Sequence, residues 1–128
     1  MIKFFLLFLL FGTPAAAAEF RHFDSWTNKE KAEFITYGSL VYIDYKQSTW
    51  ALKQRDANGN RLFREINPMF GKYPDDQELL VAQILSMGVY YYLVGNSYDP
   101  HTRGTILGLR LAAVIHNDGM GARIYKVF

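Results

Sequence analysis

Hydrophobic and polar positions divide the chain into an apolar leader and three longer segments that favour helices. The leader, residues 1–18, has one charge at Lys3, the eight-residue apolar run Phe4–Phe11, a Gly-Thr-Pro break and four alanines. This order is typical of a secretory signal peptide, since eight apolar residues rise only about 12 Å as a helix and cannot span a bilayer. We predict cleavage before Glu19, export from the cytoplasm, and one helical domain at 19–128. The alternative is an uncleaved membrane anchor.

The first mature segment carries a clear helix start. Thr27 and Glu30 have the spacing of a capping box, in which each side chain bonds the backbone amide of the other residue. The uncharged run Phe34–Ile43 follows, and the predicted helix continues to about Gln54. A turn at 56–60 ends it, because Asn-Gly tolerates positive φ.

The rest of the chain predicts two more helices. Residues 61–74 form an irregular link, interrupted by two prolines and a glycine, and an aspartate just after it can cap the second helix. That helix includes Leu79–Tyr98, 20 residues without a charge, long enough to cross about 30 Å of hydrocarbon. The third segment, Gly104–His116, is apolar except for Arg110. The pattern therefore predicts an all-α fold, a small bundle of three main helices after a signal segment.

Composition narrows the classes of function. The 128 residues include no cysteine, which excludes disulfides, thiolate metal sites and a cysteine nucleophile. The 14 basic and 12 acidic side chains give a net charge of +2, too balanced for a nucleic-acid footprint. Nucleic acid is therefore not expected as a partner.

The placement of the basic residues is more informative than their number. Seven lie between the first two segments or in the tail, and four lie before the first segment or in the 96–103 turn. Three membrane spans with the mature N-terminus outside would produce such an alternation. We predict a membrane-embedded bundle in the inner membrane, with membrane lipid as a partner. The mean hydropathy of −0.06 keeps a soluble periplasmic helical domain as the alternative.

Asp44, Gln47 and Ser48 share one face of the first predicted helix. A carboxylate held there by polar neighbours can act as a base or bind a cation. The structural alternative, which we favour, is an ion pair with Arg110 or Lys46.

A second candidate site lies in the link. Glu65 and Asn67 flank the turn that Pro68 fixes, so their side chains have little conformational freedom. Asn67 is also suited to cap a helix beginning at Pro68, which requires no substrate. Both interpretations stay open.

His116 and Asn117 end the third segment. No two histidines have the i, i+4 spacing of a helical metal pair, and no serine lies in a Gly-x-Ser-x-Gly context. We therefore expect no metal, no other cofactor and no serine-hydrolase elbow.

Three motifs resemble a group of small, largely uncharacterised bacterial and phage envelope proteins. The central one is the stretch 65–74, which reads Glu-x-Asn-Pro-Met-x-Gly-x-x-Pro; Asp44-Tyr45-Lys46-Gln47-Ser48 precedes it, and Asn117 with Gly121 follows it. The chain departs from the pattern with its Asp pair after Pro74. The resemblance implies helices and an envelope location, and it implies no reaction.

These observations predict a non-enzymatic small envelope protein that binds lipid or a partner protein of the envelope. Its motif residues are expected to meet in one hydrogen-bonded network: Asp44, Gln47, Glu65, Asn67 and Asn117. The alternatives are an exported hydrolase with an Asp44/Glu65 acid–base pair assisted by His116, and a soluble periplasmic binding module.

Overall fold

The structure, a computed structural model, describes residues 19–63 and 74–128. The predicted signal peptide and the two link residues Glu65 and Asn67 lie outside the described residues. Within them, the chain is helical and forms no strand, apart from one isolated antiparallel bridge between Arg55 and Arg61.

Three long helices and one short helix make up the described fold, which confirms the all-α prediction with three main helices. A 3₁₀ turn at Phe23–Ser25 precedes the first of them. The helices are α1 (Asn28–Lys53), α2 (Asp76–Gly95), α3 (Pro100–Gly119) and α4 (Ile124–Val127).

The ends of the helices follow from local side-chain chemistry. Both bonds of the predicted capping box, between Thr27 and Glu30, are present at the start of α1. Asp75 caps α2 by accepting from the amide of Glu78. Helix α3 begins earlier than predicted, at a proline suited to the first helical position, and continues through the Asn-Asp-Gly that we predicted as its closing turn.

Helix α1 lies against both other long helices, antiparallel to α2 and parallel to α3. Its C-terminal Lys53 pairs with Asp76 at the start of α2. Towards α3, its residues Glu33 and Asp44 pair with Arg103 and Arg110, in the same order along both helices. Polar side chains at successive levels therefore hold α3 against α1.

An aromatic and aliphatic core fills the end of the bundle near the start of α1. Tyr37 and Tyr90 stack there with ring centroids 4.2 Å apart. Trp26, Val41 and Val94 complete the buried cluster. The polar groups of the bundle meet further along the helices, towards the opposite end.

The segment 20–26, called here the N-terminal strap, folds over the end of α2. Arg21 donates its backbone amide to the carbonyl of Gly95 at 2.8 Å and its guanidinium to the carbonyl of Val94 at 3.2 Å. The Trp26 indole in turn donates to the Arg21 carbonyl at 2.8 Å. The strap therefore satisfies carbonyls that the last turn of a helix leaves without an intrahelical partner.

The outer faces of the helices are largely apolar. Among the described residues, one helix, α2, is long and apolar enough to cross a membrane. Large exposed apolar side chains on the three long helices are Ile35, Tyr42, Leu80, Val81, Ile84, Leu85, Leu109, Leu111 and Ile115.

Candidate functional site

The carboxylate of Asp44 is the centre of a polar cluster between the three long helices. Its Oδ2 accepts from Arg110 Nη1 at 2.6 Å and from Gln83 Nε2 at 3.4 Å. Its Oδ1 accepts from Asn117 Nδ2 at 2.8 Å. Asp44 lies on α1, Gln83 on α2, and the other two residues on α3, so one carboxylate joins all three helices.

The second arm of the Arg110 guanidinium extends the cluster. Nη2 donates to Ser86 Oγ at 2.8 Å and to the Tyr37 hydroxyl at 3.4 Å, and these two hydroxyl groups are hydrogen-bonded to each other. The guanidinium carbon lies 5.6 Å from the centroid of the Tyr37 ring, which adds a cation–π contact. Arg110 is therefore held by an anion, two hydroxyl groups and an aromatic face.

Gln47 lies one helical turn beyond Asp44 and is fully buried. Its Nε2 donates to the carbonyls of Val114 and Ala122, both at 3.1 Å. The Gln47 side chain thus ties α1 both to α3 and to the segment that leads into α4. Its Oε1 is buried without a hydrogen-bond partner.

The structure brings together four of the predicted site residues. Asp44, Arg110 and Asn117 are in direct contact, and Gln47 lies beside them on α1. The ion pair between Asp44 and Arg110, which we favoured from the sequence, is present, whereas Lys46 lies over the ring of Phe128 instead.

Two predicted residues do not join the cluster. Ser48 forms no hydrogen bond with any described residue of it, and the His116 side chain is exposed at the end of α3. The predicted acid–base partner Glu65 and its neighbour Asn67 lie outside the described residues, so the contacts predicted for them stay predictions.

A second buried ion pair escaped the sequence reasoning. Arg103 Nη1 donates to Glu33 Oε2 at 2.9 Å, and the Arg103 side chain is only 8% exposed. We had counted Arg103 among the charges of a turn, but it lies inside α3. A signal existed, because Arg103, Arg110 and Asn117 recur every seven residues, the interval at which one helix face meets a neighbouring helix.

The geometry gives Asp44 a structural role more readily than a catalytic one. Both of its oxygens already accept hydrogen bonds, and one bonds a guanidinium directly. A general base needs a free lone pair within reach of a substrate proton. Among the described residues, no group of three or more side chains is arranged to hold a metal ion.

Comparisons with known proteins add no relative. No protein-family model matches the chain, and no curated protein or solved structure is detectably similar to it.

Proposed function

We propose that the chain is a small, non-catalytic inner-membrane protein of the cell envelope. Its three long helices cross the bilayer, its polar cluster holds them in register, and its ends contact membrane lipid and an envelope protein partner. The observation that carries the proposal is the distribution of charge. Charged side chains in the middle of the helices point inward and are paired, while apolar side chains point outward.

The inward charges are the two ion pairs of the α1–α3 interface. Glu33–Arg103 and Asp44–Arg110 are both largely shielded from solvent. In a water-soluble protein of this size such residues are usually on the surface. In a membrane they face the bundle interior and pair with one another, which is the arrangement here.

The outward positions are uncharged over long stretches. The exposed positions of α2 after Glu78 and those of α3 between residues 104 and 115 carry no charge. A soluble periplasmic module would need a polar exterior on α2, and the exposed Leu80 and Ile84 are the opposite. The hydrolase alternative is disfavoured because Asp44 is engaged by three donors.

Helix length agrees with the proposal. Helices α2 and α3 have 20 residues each, which corresponds to about 30 Å, the thickness of the hydrocarbon layer. Helix α1 has 26 residues, about 39 Å, so its ends extend into the headgroup region.

The test is extraction of the full chain from membranes with alkaline carbonate. We expect the protein to stay in the pellet and to require detergent for release. Release by carbonate would contradict three membrane spans and would favour the soluble module. A signal-peptide-bearing periplasmic protein, expressed alongside, serves as the control that must be released.

A further inference from the structure

The hairpin that follows α1 brings two arginines face to face. The isolated antiparallel bridge pairs Arg55 with Arg61. Arg55 Nη1 donates to the carbonyl of Leu52 at 2.9 Å, and Arg61 Nη1 donates to the same carbonyl at 3.2 Å. Two guanidinium groups therefore meet at one backbone oxygen, at the C-terminal end of a long helix.

Like charges placed opposite each other across a bridge are unfavourable unless something offsets the repulsion. The nearest acid of the hairpin, Asp56, is committed to the turn. Its Oδ1 accepts from the amides of Asn58 and Asn60, and its Oδ2 accepts from the Asn60 side chain. Among the described residues, Arg55 donates only to backbone carbonyls and forms no ion pair with a carboxylate.

The surroundings of the hairpin suit the boundary of a membrane. The rings of Trp50 and Phe63 lie 6.3 Å apart beside it, and both arginines are exposed. Aromatic side chains, tryptophan above all, concentrate at the headgroup level of a bilayer. The end of α1 would lie at that level if the helix spans the membrane.

We propose that Arg55 and Arg61 bind the phosphate group of a membrane phospholipid. The inference rests on the proposed membrane location. A guanidinium matches the oxygens of a phosphate through paired N–H donors, and Arg55 keeps its Nε and Nη2 donors for this purpose. The phosphate charge offsets the repulsion between the two guanidinium groups, which explains why they lie together.

The experiment measures the thermal unfolding of the purified full chain in dodecylmaltoside. Dioleoylphosphatidic acid is compared with dioleoylglycerol, which has the same tails and no phosphate, and with inorganic phosphate. We expect phosphatidic acid to raise the Tm of the wild type by about 4 °C at saturation, and the other two to have little effect. In R55Q/R61Q this rise should shrink to less than a third, measured from the variant's own Tm.

Arg123→Gln is the matched control, because Arg123 lies at the same end of the bundle but pairs with Asp118. It should keep the full response to phosphatidic acid. An equal response in R55Q/R61Q and wild type would overturn the site. A full response to inorganic phosphate alone would overturn the lipid as its ligand.

The two proposals fail in distinguishable ways. If the chain resists carbonate but phosphatidic acid has no arginine-dependent effect, only the phosphate site is wrong. If carbonate releases the chain, the membrane location is wrong, whatever the lipid response.

Discussion

Arg110 Nη1 lies 2.6 Å from Asp44 Oδ2, and the two residues occupy the middle parts of α3 and α1. Their side chains are 18% and 12% exposed, so the pair is shielded from solvent on most sides. A shielded charge that loses its partner is far more costly than a pair removed together. The Asp44–Arg110 contact therefore fixes how α3 docks on α1.

The first prediction concerns this pair. Asp44→Asn should destabilise the protein by about 3 kcal/mol, because it leaves the Arg110 charge buried without an anion. The double variant Asp44→Leu/Arg110→Met should recover most of that loss. Thermal or denaturant unfolding of the detergent-solubilised chain, followed by circular dichroism, measures both effects. Lys53→Gln, which breaks the exposed pair with Asp76, should cost less than about 0.5 kcal/mol. An equal cost for Asp44→Asn and Lys53→Gln would contradict the structural role of Asp44.

The second prediction concerns Gln47. Gln47→Met keeps the volume but removes two hydrogen bonds to the carbonyls of Val114 and Ala122, at a cost of about 1–2 kcal/mol. The segment after α3 should then exchange its amide hydrogens faster, as followed by mass spectrometry. Ser48→Ala on the neighbouring position should leave that exchange unchanged. Unaltered exchange in Gln47→Met would show that other contacts hold the tail.

The third prediction concerns the N-terminal strap. A Cβ added at Gly95 would lie 2.4 Å from the ring of Phe20 and 2.9 Å from the Arg21 carbonyl, so Gly95→Ala should displace the strap. Trypsin should then cleave after Arg21 more rapidly, as seen by mass spectrometry of the fragments. Gly88→Ala on the same helix meets nothing within 4 Å and should leave the cleavage rate unchanged. Equal rates in the two variants would be incompatible with the close packing of the strap.

The fourth prediction concerns pH. The Arg21 guanidinium donates two hydrogen bonds to Glu30, at 2.9 and 3.2 Å, and thereby lowers the pKa of Glu30. Because the folded-state pKa is depressed, ionised Glu30 stabilises the strap above its unfolded pKa of about 4.3, and this contribution is lost as the pH falls through the folded pKa.

The strap of the wild type should therefore loosen on acidification, as measured by hydrogen exchange at residues 20–26. In Glu30→Gln the strap should already be loose at pH 7 and should respond less to acid. Glu19→Gln, at an exposed position before the strap, should behave like the wild type. The same acid response in Glu30→Gln and wild type would rule out Glu30 as the titrating group.

The fifth prediction concerns topology. The chain has no cysteine, so single cysteines can report the side of the membrane on which a position lies. Ser25→Cys and Asn58→Cys lie at opposite ends of α1, both exposed. We expect an impermeant maleimide to label Ser25→Cys in intact spheroplasts and Asn58→Cys only after permeabilisation, since basic residues favour the cytoplasmic side. Labelling of both from outside would be inconsistent with an odd number of spans.

Local signals predicted the helices well. The capping box at Thr27 and Glu30 and the polar turn at 56–60 placed both ends of α1 to within one residue. The extent of α3 was predicted less well, because its closing Asn-Asp-Gly is compatible with either a turn or a last helical turn. What decides is the docking of Asn117 on Asp44, which favours the helical conformation.

The candidate site was predicted in part. The sequence placed Asp44, Gln47, Arg110 and Asn117 among the candidates because each is a polar residue in or beside an apolar run. It did not indicate Glu33 and Arg103, because each lies near a helix end where charges are usually solvated. Only the packing of α3 on α1 buries them together.

By itself, the sequence determined the helices, their approximate lengths and the apolar surfaces between charges, since caps, turns and uncharged runs act within a few residues. The tertiary structure decided which polar groups are neighbours. Asp44 meets Arg110 and Asn117 across 66 and 73 residues of chain. Such partners depend on the register and rotation of whole helices, which packing sets and local pattern does not.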